Sequence, residues 1–164
     1  MNNTTEPAII LFDGICNLCR ASVQFVIKRD TKQRFRFGSL QSNAGKRLLQ
    51  EHGLHDYVLL EKDLLEADRQ DNGSSSVILL HRQKAYTKSS AALTIAKQLD
   101  WPWPLLYGFI LVPKFLRDAV YDFIGKRRYR WFGKQDRCWI PPQPLQHRFI
   151  ENEDLDDKPL NGLD

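Results

Sequence analysis

The sequence predicts an α/β sandwich of element order β-α-β-α-β-β-α with a helical C-terminal extension. Three observations lead there: apolar runs of strand type at residues 8–12 and 77–81, the two-residue alternation of "RFRFGSLQS" at 34–42, and helical stripes between them. "AIILF" (8–12) is continuously apolar, as a strand covered on both faces requires, and Asp13-Gly14 breaks it. From Leu18 the apolar positions become Leu18, Val23, Phe25, Val26 and Ile27, interrupted by Arg20, Gln24, Lys28 and Arg29. That stripe is an amphipathic helix ending near Asp30. In 34–42, Phe35 and Phe37 fall on one face of a strand and arginines on the other. A helix over 43–52 follows, stopped by Gly53. "VILLH" (77–81) is a strand, "QKAYTK" returns beside it, and "SSAALTIAKQL" is a helix capped by Ser89 or Ser90. Residues 57–76 give no clear element, and their polar end reads as an exposed loop.

This is the order of the thioredoxin-like architecture, in which the first two strands are parallel across a helical crossover and the final hairpin is antiparallel. The predicted organisation is a core over residues 1–100, a helical extension over 101–150, and an acidic, disordered tail over 151–164. The tail holds six acids and one lysine, so the overall charge of +4 leaves +9 on residues 1–150. Such a body favours acidic partner surfaces. The N-terminus lacks the basic region and cleavage site of a signal peptide, and the longest apolar stretch is too short to span a bilayer. With three cysteines and no disulfide framework, the expected setting is a reducing cytoplasm.

The segment "FDGICNLCRAS" (12–22) carries the chemistry. Its D-x-x-C-x-x-C pattern (Asp13, Cys16, Cys19), together with "AYTKSSAAL" and "LVPKFLRDAVYDFIGKRRYRWFGKQDRCWIP", resembles the DCC family of thiol-disulfide oxidoreductases across most of residues 8–141. The expected departure from the family is an expansion around residues 61–75. The resemblance implies two-electron dithiol/disulfide exchange at Cys16 and Cys19, with no bound cofactor and no metal. The partners would be a protein or small-molecule disulfide or thiol, and a cellular dithiol that recharges the pair.

A C-x-x-C at a helix N-terminus suits that chemistry, because unpaired N–H groups and the helix dipole favour a thiolate at the leading cysteine. Cys16 is then expected to be an exposed nucleophile, and Cys19, one turn on, the resolving thiol. Arg20 is a second source of positive charge. Asp13 has two readings: proton acceptor for Cys19, or cap of the following turn through its carboxylate. Proteins of this architecture commonly set a cis-proline before the third strand, whereas this chain has no proline between Pro7 and Pro102.

The rival from another class is a non-catalytic binding module whose dithiol is structural or holds zinc. Cys138 and His147 would complete a Cys3His set, but their spacing is wide of the usual knuckle. The "LFDG" stretch is similar to the haloacid-dehalogenase phosphatases, yet Ile15 stands where the second aspartate belongs. "NLCRAS" is similar to the loop of low-molecular-weight tyrosine phosphatases, but the nucleophilic cysteine would fall at Gly14. Cys138 has two readings, a buried apolar side chain beside Trp139, which is favoured, or a third thiol near Cys16. The histidines at 52, 55, 81 and 147 show no metal spacing. "GKRRYRWFGK" (125–134) is read as a helix end with cations over aromatics, and nucleic acid is not called as a partner. The Trp-Pro steps at 101–104 and the apolar run after them are expected to pack on the sheet rather than on a membrane interface.

Overall fold

The computed structural model describes residues 7–54, 77–82, 84–133, 135 and 139–150. The predicted loop within 57–76, His55, Cys138 and the acidic tail lie outside these residues.

Strand β1 (Ala8–Phe12) lies centrally in a four-stranded sheet of order β2-β1-β3-β4, with β2 at Phe35–Ser39, β3 at Val77–His81 and β4 at Lys84–Thr87. β1 and β2 are parallel, with Ala8 opposite Phe35 and Phe12 opposite Ser39, while β1–β3 and β3–β4 are antiparallel. The parallel pair needs a crossover, supplied by helix α1 (Asn17–Arg29). Helix α2 (Asn43–Glu51) crosses from β2 toward β3, and α3 (Lys88–Gln98) follows the hairpin. The architecture is thioredoxin-like, as the element order predicts.

The alternation of side chains along a strand divides the interior in two. Ile10, Phe12, Phe35, Phe37 and Leu79 pack with Val23 and Val26 of α1 and with Ala91 and Ile95 of α3. Leu11, Ile78 and Leu80 pack on the other side with Ala44 and Leu49 of α2. This is why "AIILF" carries no polar residue: both faces of β1 are covered.

Two local expectations are corrected. α3 begins at Lys88 behind Thr87, without a side-chain cap. Ser89 does not cap because its hydroxyl donates to Asp118 on the next helix. The apolar run after Pro104 does not pack on the sheet. Residues Trp103–Leu111 form a 3-10 helix against α3, and only Trp103 reaches the core, edge-on to Phe25 at 4.6 Å. Leu105 and Phe109 face solvent, and Leu111 is 89 % exposed.

Helix α4 (Lys114–Phe132) runs from the 3-10 segment back to the start of α1. It ends at Gly133, whose φ of 76° is a conformation glycine adopts at no steric cost. The ends of α4 and α1 then satisfy one another: Asn17 N–H donates to Gly133 O at 3.4 Å and Asn17 Nδ2 to Phe132 O at 2.9 Å. Residues 139–150 return along the edge of β2, where Phe149 bridges Phe37 in parallel and enters the core, stacking edge-on with Phe12 and Trp139. The described residues contain one cis peptide bond, at Trp101–Pro102, after α3.

Candidate active site

The turn between β1 and α1 carries all three motif residues. Cys16 is the N-cap of α1, in extended conformation, and its sulfur accepts from the Cys19 backbone N–H at 3.4 Å. The sulfur therefore occupies the place where a serine or aspartate oxygen ordinarily caps a helix. Both cysteines are free thiols. Cys19 faces inward on the first turn, as its spacing predicts.

The environment separates the two thiols. A hydrogen bond from the Cys19 thiol brings Cys16 down from 9.0 to about 6, helped by the Cys19 N–H and the Arg128 guanidinium. Burial and the Asp13 charge work against this without reversing it. Cys19 is pushed strongly upward, first because it donates to Cys16, then by burial and by the charge on Cys16. One thiol is thus held as an anion at neutral pH and its neighbour as a protonated donor.

Asp13 is buried and accepts four hydrogen bonds. Oδ1 takes Ile15 N–H at 3.1 Å and Gln41 Nε2 at 3.0 Å; Oδ2 takes Arg128 Nη2 at 3.1 Å and the Tyr129 hydroxyl. A carboxylate offers about four lone-pair sites, so this one is saturated. Gln41 is held in turn by Ser39 Oγ at 2.6 Å and takes Gly14 N–H at 3.1 Å. The turn-capping reading of Asp13 is therefore visible in the Ile15 contact, and the carboxylate also anchors Arg128.

Arg128 and Tyr129 lie more than a hundred residues from the motif. The Arg128 side chain is 7 % exposed, and its Nε and Nη1 have no hydrogen-bond partner. Burial opposes its charge, yet Tyr129, Cys19, Asp13 and Cys16 around it hold its pKa above the usual value. Burial and donation to Asp13 likewise hold the Tyr129 hydroxyl well above its ordinary range. Neither residue follows from the C-x-x-C pattern. The legible signal was the Arg-Tyr pair within "KRRYRW", here turned inward rather than laid over surface aromatics.

The expected exposure of Cys16 is corrected: it is 1 % exposed. The chain returning after α4 is tied to the turn just before it. Gln135 N–H donates to Ile15 O at 2.9 Å, and Trp139 N–H donates to Gly14 O at 3.1 Å. Arg20 does not face the thiols; it stacks on Trp139 with its guanidinium 5.2 Å from the ring centre. Beside Cys19 a cavity of about 510 Å3 opens between α1, α3 and α4, walled by Ile10, Val23, Ile95, Leu106 and Ile124. Among the described residues no three histidine, cysteine or acidic side chains cluster to hold a metal, and Cys138, the third thiol of the zinc reading, lies outside them.

A buried, acid-shifted thiol capping the helix after the first strand of a thioredoxin-like sheet defines a dithiol protein of that architecture. The sequence matches DCC1-like thiol-disulfide oxidoreductase over residues 10–134, and the chain belongs to that family. It is 42 % identical over 142 residues to the uncharacterized protein YuxK of Bacillus subtilis (strain 168), covering 87 % of this chain and 93 % of that protein. It is 40 % identical over 131 residues to a chloroplastic DCC family protein of Arabidopsis thaliana, covering 79 % of this chain and 67 % of that one. No solved structure matches the chain.

Proposed function

We propose that the protein is an enzyme of thiol-disulfide exchange, cycling Cys16 and Cys19 between dithiol and disulfide. The observation that carries this is the placement of the two thiols: the Cys16 sulfur caps α1 and accepts the Cys19 N–H at 3.4 Å, with Cys19 inward on the same turn, an arrangement that lowers the pKa of Cys16 and raises that of Cys19. An attacking thiol works best with a pKa near the ambient pH, which suits Cys16.

In the reducing direction, the Cys16 thiolate attacks one sulfur of a partner disulfide. The partner S–S bond breaks, one partner thiolate departs, and a mixed disulfide forms on Cys16. Cys19 gives up its proton to the departing thiolate and attacks the Cys16 sulfur, releasing the second partner thiolate. The balance is one disulfide reduced and one Cys16–Cys19 disulfide formed, which a cellular dithiol reverses. Asp13 acts as a positioning residue: four donors engage its two oxygens, and its bond to Arg128 fixes the cation near both sulfurs. The cycle suits a reducing compartment such as the cytoplasm.

Titration of the purified protein in defined thiol-disulfide buffers, with alkylation and peptide mass spectrometry, tests the proposal. A reversible Cys16–Cys19 disulfide is expected. Folded, metal-free protein that forms no such disulfide under oxidising conditions would refute it, and zinc that co-purifies and unfolds the chain on chelation would replace it with the metal-holding reading.

A further inference from the structure

Helix α4 is inverted. On its inner side stand Arg117, Asp118, Tyr121, Asp122, Arg128 and Tyr129, all partly or fully buried. They are engaged there: Asp122 with Lys88 at 2.8 Å, Asp118 with Ser89 and Lys114, Arg117 with Val112 O at 2.9 Å, and Arg128 with Asp13. On the outer side, at helical spacing, Leu116, Val120, Phe123, Ile124 and Trp131 are exposed, and Phe115 is 77 % exposed. Leu105, Phe109 and Leu111 of the preceding 3-10 segment add to this surface. A helix in a water-facing position normally shows the opposite arrangement, and an apolar surface of this extent marks an interaction site.

The charges on the outer side are all of one sign. Lys126, Arg127 and Arg130 are exposed among the apolar residues, while both carboxylates of α4 turn inward and pair elsewhere. The Arg127 guanidinium lies over the Phe123 ring at 3.9 Å, so this cation sits within the apolar surface itself. A second copy of the chain meeting this face about a two-fold axis would bring the three cations against their own images, which costs energy. An apolar surface set with cations and carrying Trp131 complements an anionic lipid interface, where aromatic rings seat at headgroup level and cations meet phosphate. No helix among the described residues is long and apolar enough to cross a membrane, so the contact is with the surface.

We infer that the 3-10 segment and the outer side of α4 dock the protein on an anionic bilayer. Leu106 and Ile124 belong to this surface and to the rim of the cavity beside Cys19, so docking turns the cavity mouth toward lipid.

The test is co-sedimentation of the full chain with vesicles of phosphatidylcholine, alone or mixed with phosphatidylglycerol, at low and high salt. Binding to the mixed vesicles is expected, weakened about tenfold or more on pure phosphatidylcholine and by the double variant Lys126→Glu, Arg130→Glu. The triple variant Leu116→Ser, Val120→Ser, Phe123→Ser should abolish it while leaving circular dichroism and the Cys16–Cys19 redox midpoint unchanged, since these side chains are exposed. Absence of sedimentation with the mixed vesicles overturns the inference, as does equal binding to both vesicle types. A stable dimer in light scattering that the triple variant dissociates also overturns it and assigns the face to a second copy. None of these outcomes depends on the exchange chemistry, because the redox midpoint is read separately.

Discussion

Replacing Cys19 by alanine removes the S–H donor that contributes most to the acidity of Cys16, while sparing the Cys19 N–H and Arg128. A hydrogen bond to a charged acceptor is worth about 1.5–3 kcal/mol, and a tenfold change in acidity corresponds to about 1.4 kcal/mol. The Cys16 midpoint should therefore rise by about 1–2 pH units from its value of about 6. Cys19→Ser keeps an O–H donor at the same place, so its midpoint should stay close to that of the native protein. The assay is the ultraviolet absorbance of the thiolate across the acid-to-alkaline range, with Cys16→Ser as blank to remove any signal from Cys138. Absorbance needs no reagent to reach the sulfur, which matters because Cys16 is buried. Equal midpoints in the alanine and serine variants, or a native midpoint near 9.0, would refute the account of how this thiol is acidified.

Three further outcomes follow from the same structure. Arg128→Met leaves the Asp13 carboxylate buried without its cation and should cost about 3–5 kcal/mol in urea unfolding. Adding Asp13→Asn should recover part of that loss, and additive losses would show that the pair is not coupled. The two helical glycines should respond with opposite signs: a Cβ on Gly45 would lie 2.1 Å from the Ser39 carbonyl oxygen, whereas one on Gly125 meets nothing within 4 Å. Gly45→Ala should lower stability by about 1–3 kcal/mol or more, and Gly125→Ala should raise it by about 0.5–1 kcal/mol through helix propensity, both read by thermal melts. Stability of the reduced protein should depend on pH through the cysteines. Cys16 is more acidic folded than unfolded, so its contribution is full above 9.0 and is lost as pH falls toward about 6. Cys19 is less acidic folded than unfolded, so its contribution is lost as pH rises above 9.0. Urea unfolding under reducing conditions should show a rise between these values and a turnover above them, with the rise absent in Cys16→Ser.

The strands and helices were legible because each carries its own period: the two-sided burial of β1 explains "AIILF", and the Phe35–Phe37 alternation is that of an edge strand with one face in the core. The motif turn was legible for the same reason, since the break at Asp13-Gly14 and the helical stripe from Leu18 bracket it. What could not be read is what the chain brings back from afar. Cys16 looks exposed in sequence because nothing local covers it, and the segment that returns to the motif turn, at Gln135 and Trp139, is far away in the chain. Arg128 and Tyr129 sit in a basic-aromatic stretch that resembles a solvated helix end, and only the path of α4 across α1 shows that they point into the site. The apolar run at 105–111 is expected on the sheet because apolar residues usually go inside, yet Leu105, Phe109 and Leu111 face solvent.

Phe149 and Ile150 are neighbours in the chain but enter opposite interiors, Phe149 with α1 and α3, Ile150 with α2. They close over the edge of β2 so tightly that a methyl on Gly38 would come within 2.6 Å of Ile150. Arg148 fastens the same segment from beneath, 2.5 Å from the buried Asp30 carboxylate at the end of α1. During synthesis on the ribosome, the sheet therefore emerges with an open margin and two incomplete interiors, and stays so until residue 150 leaves the tunnel. Arg128 is also a late arrival, so the nascent dithiol meets cellular oxidants before the cation stands beside its sulfurs. The site is complete only after both interiors have closed.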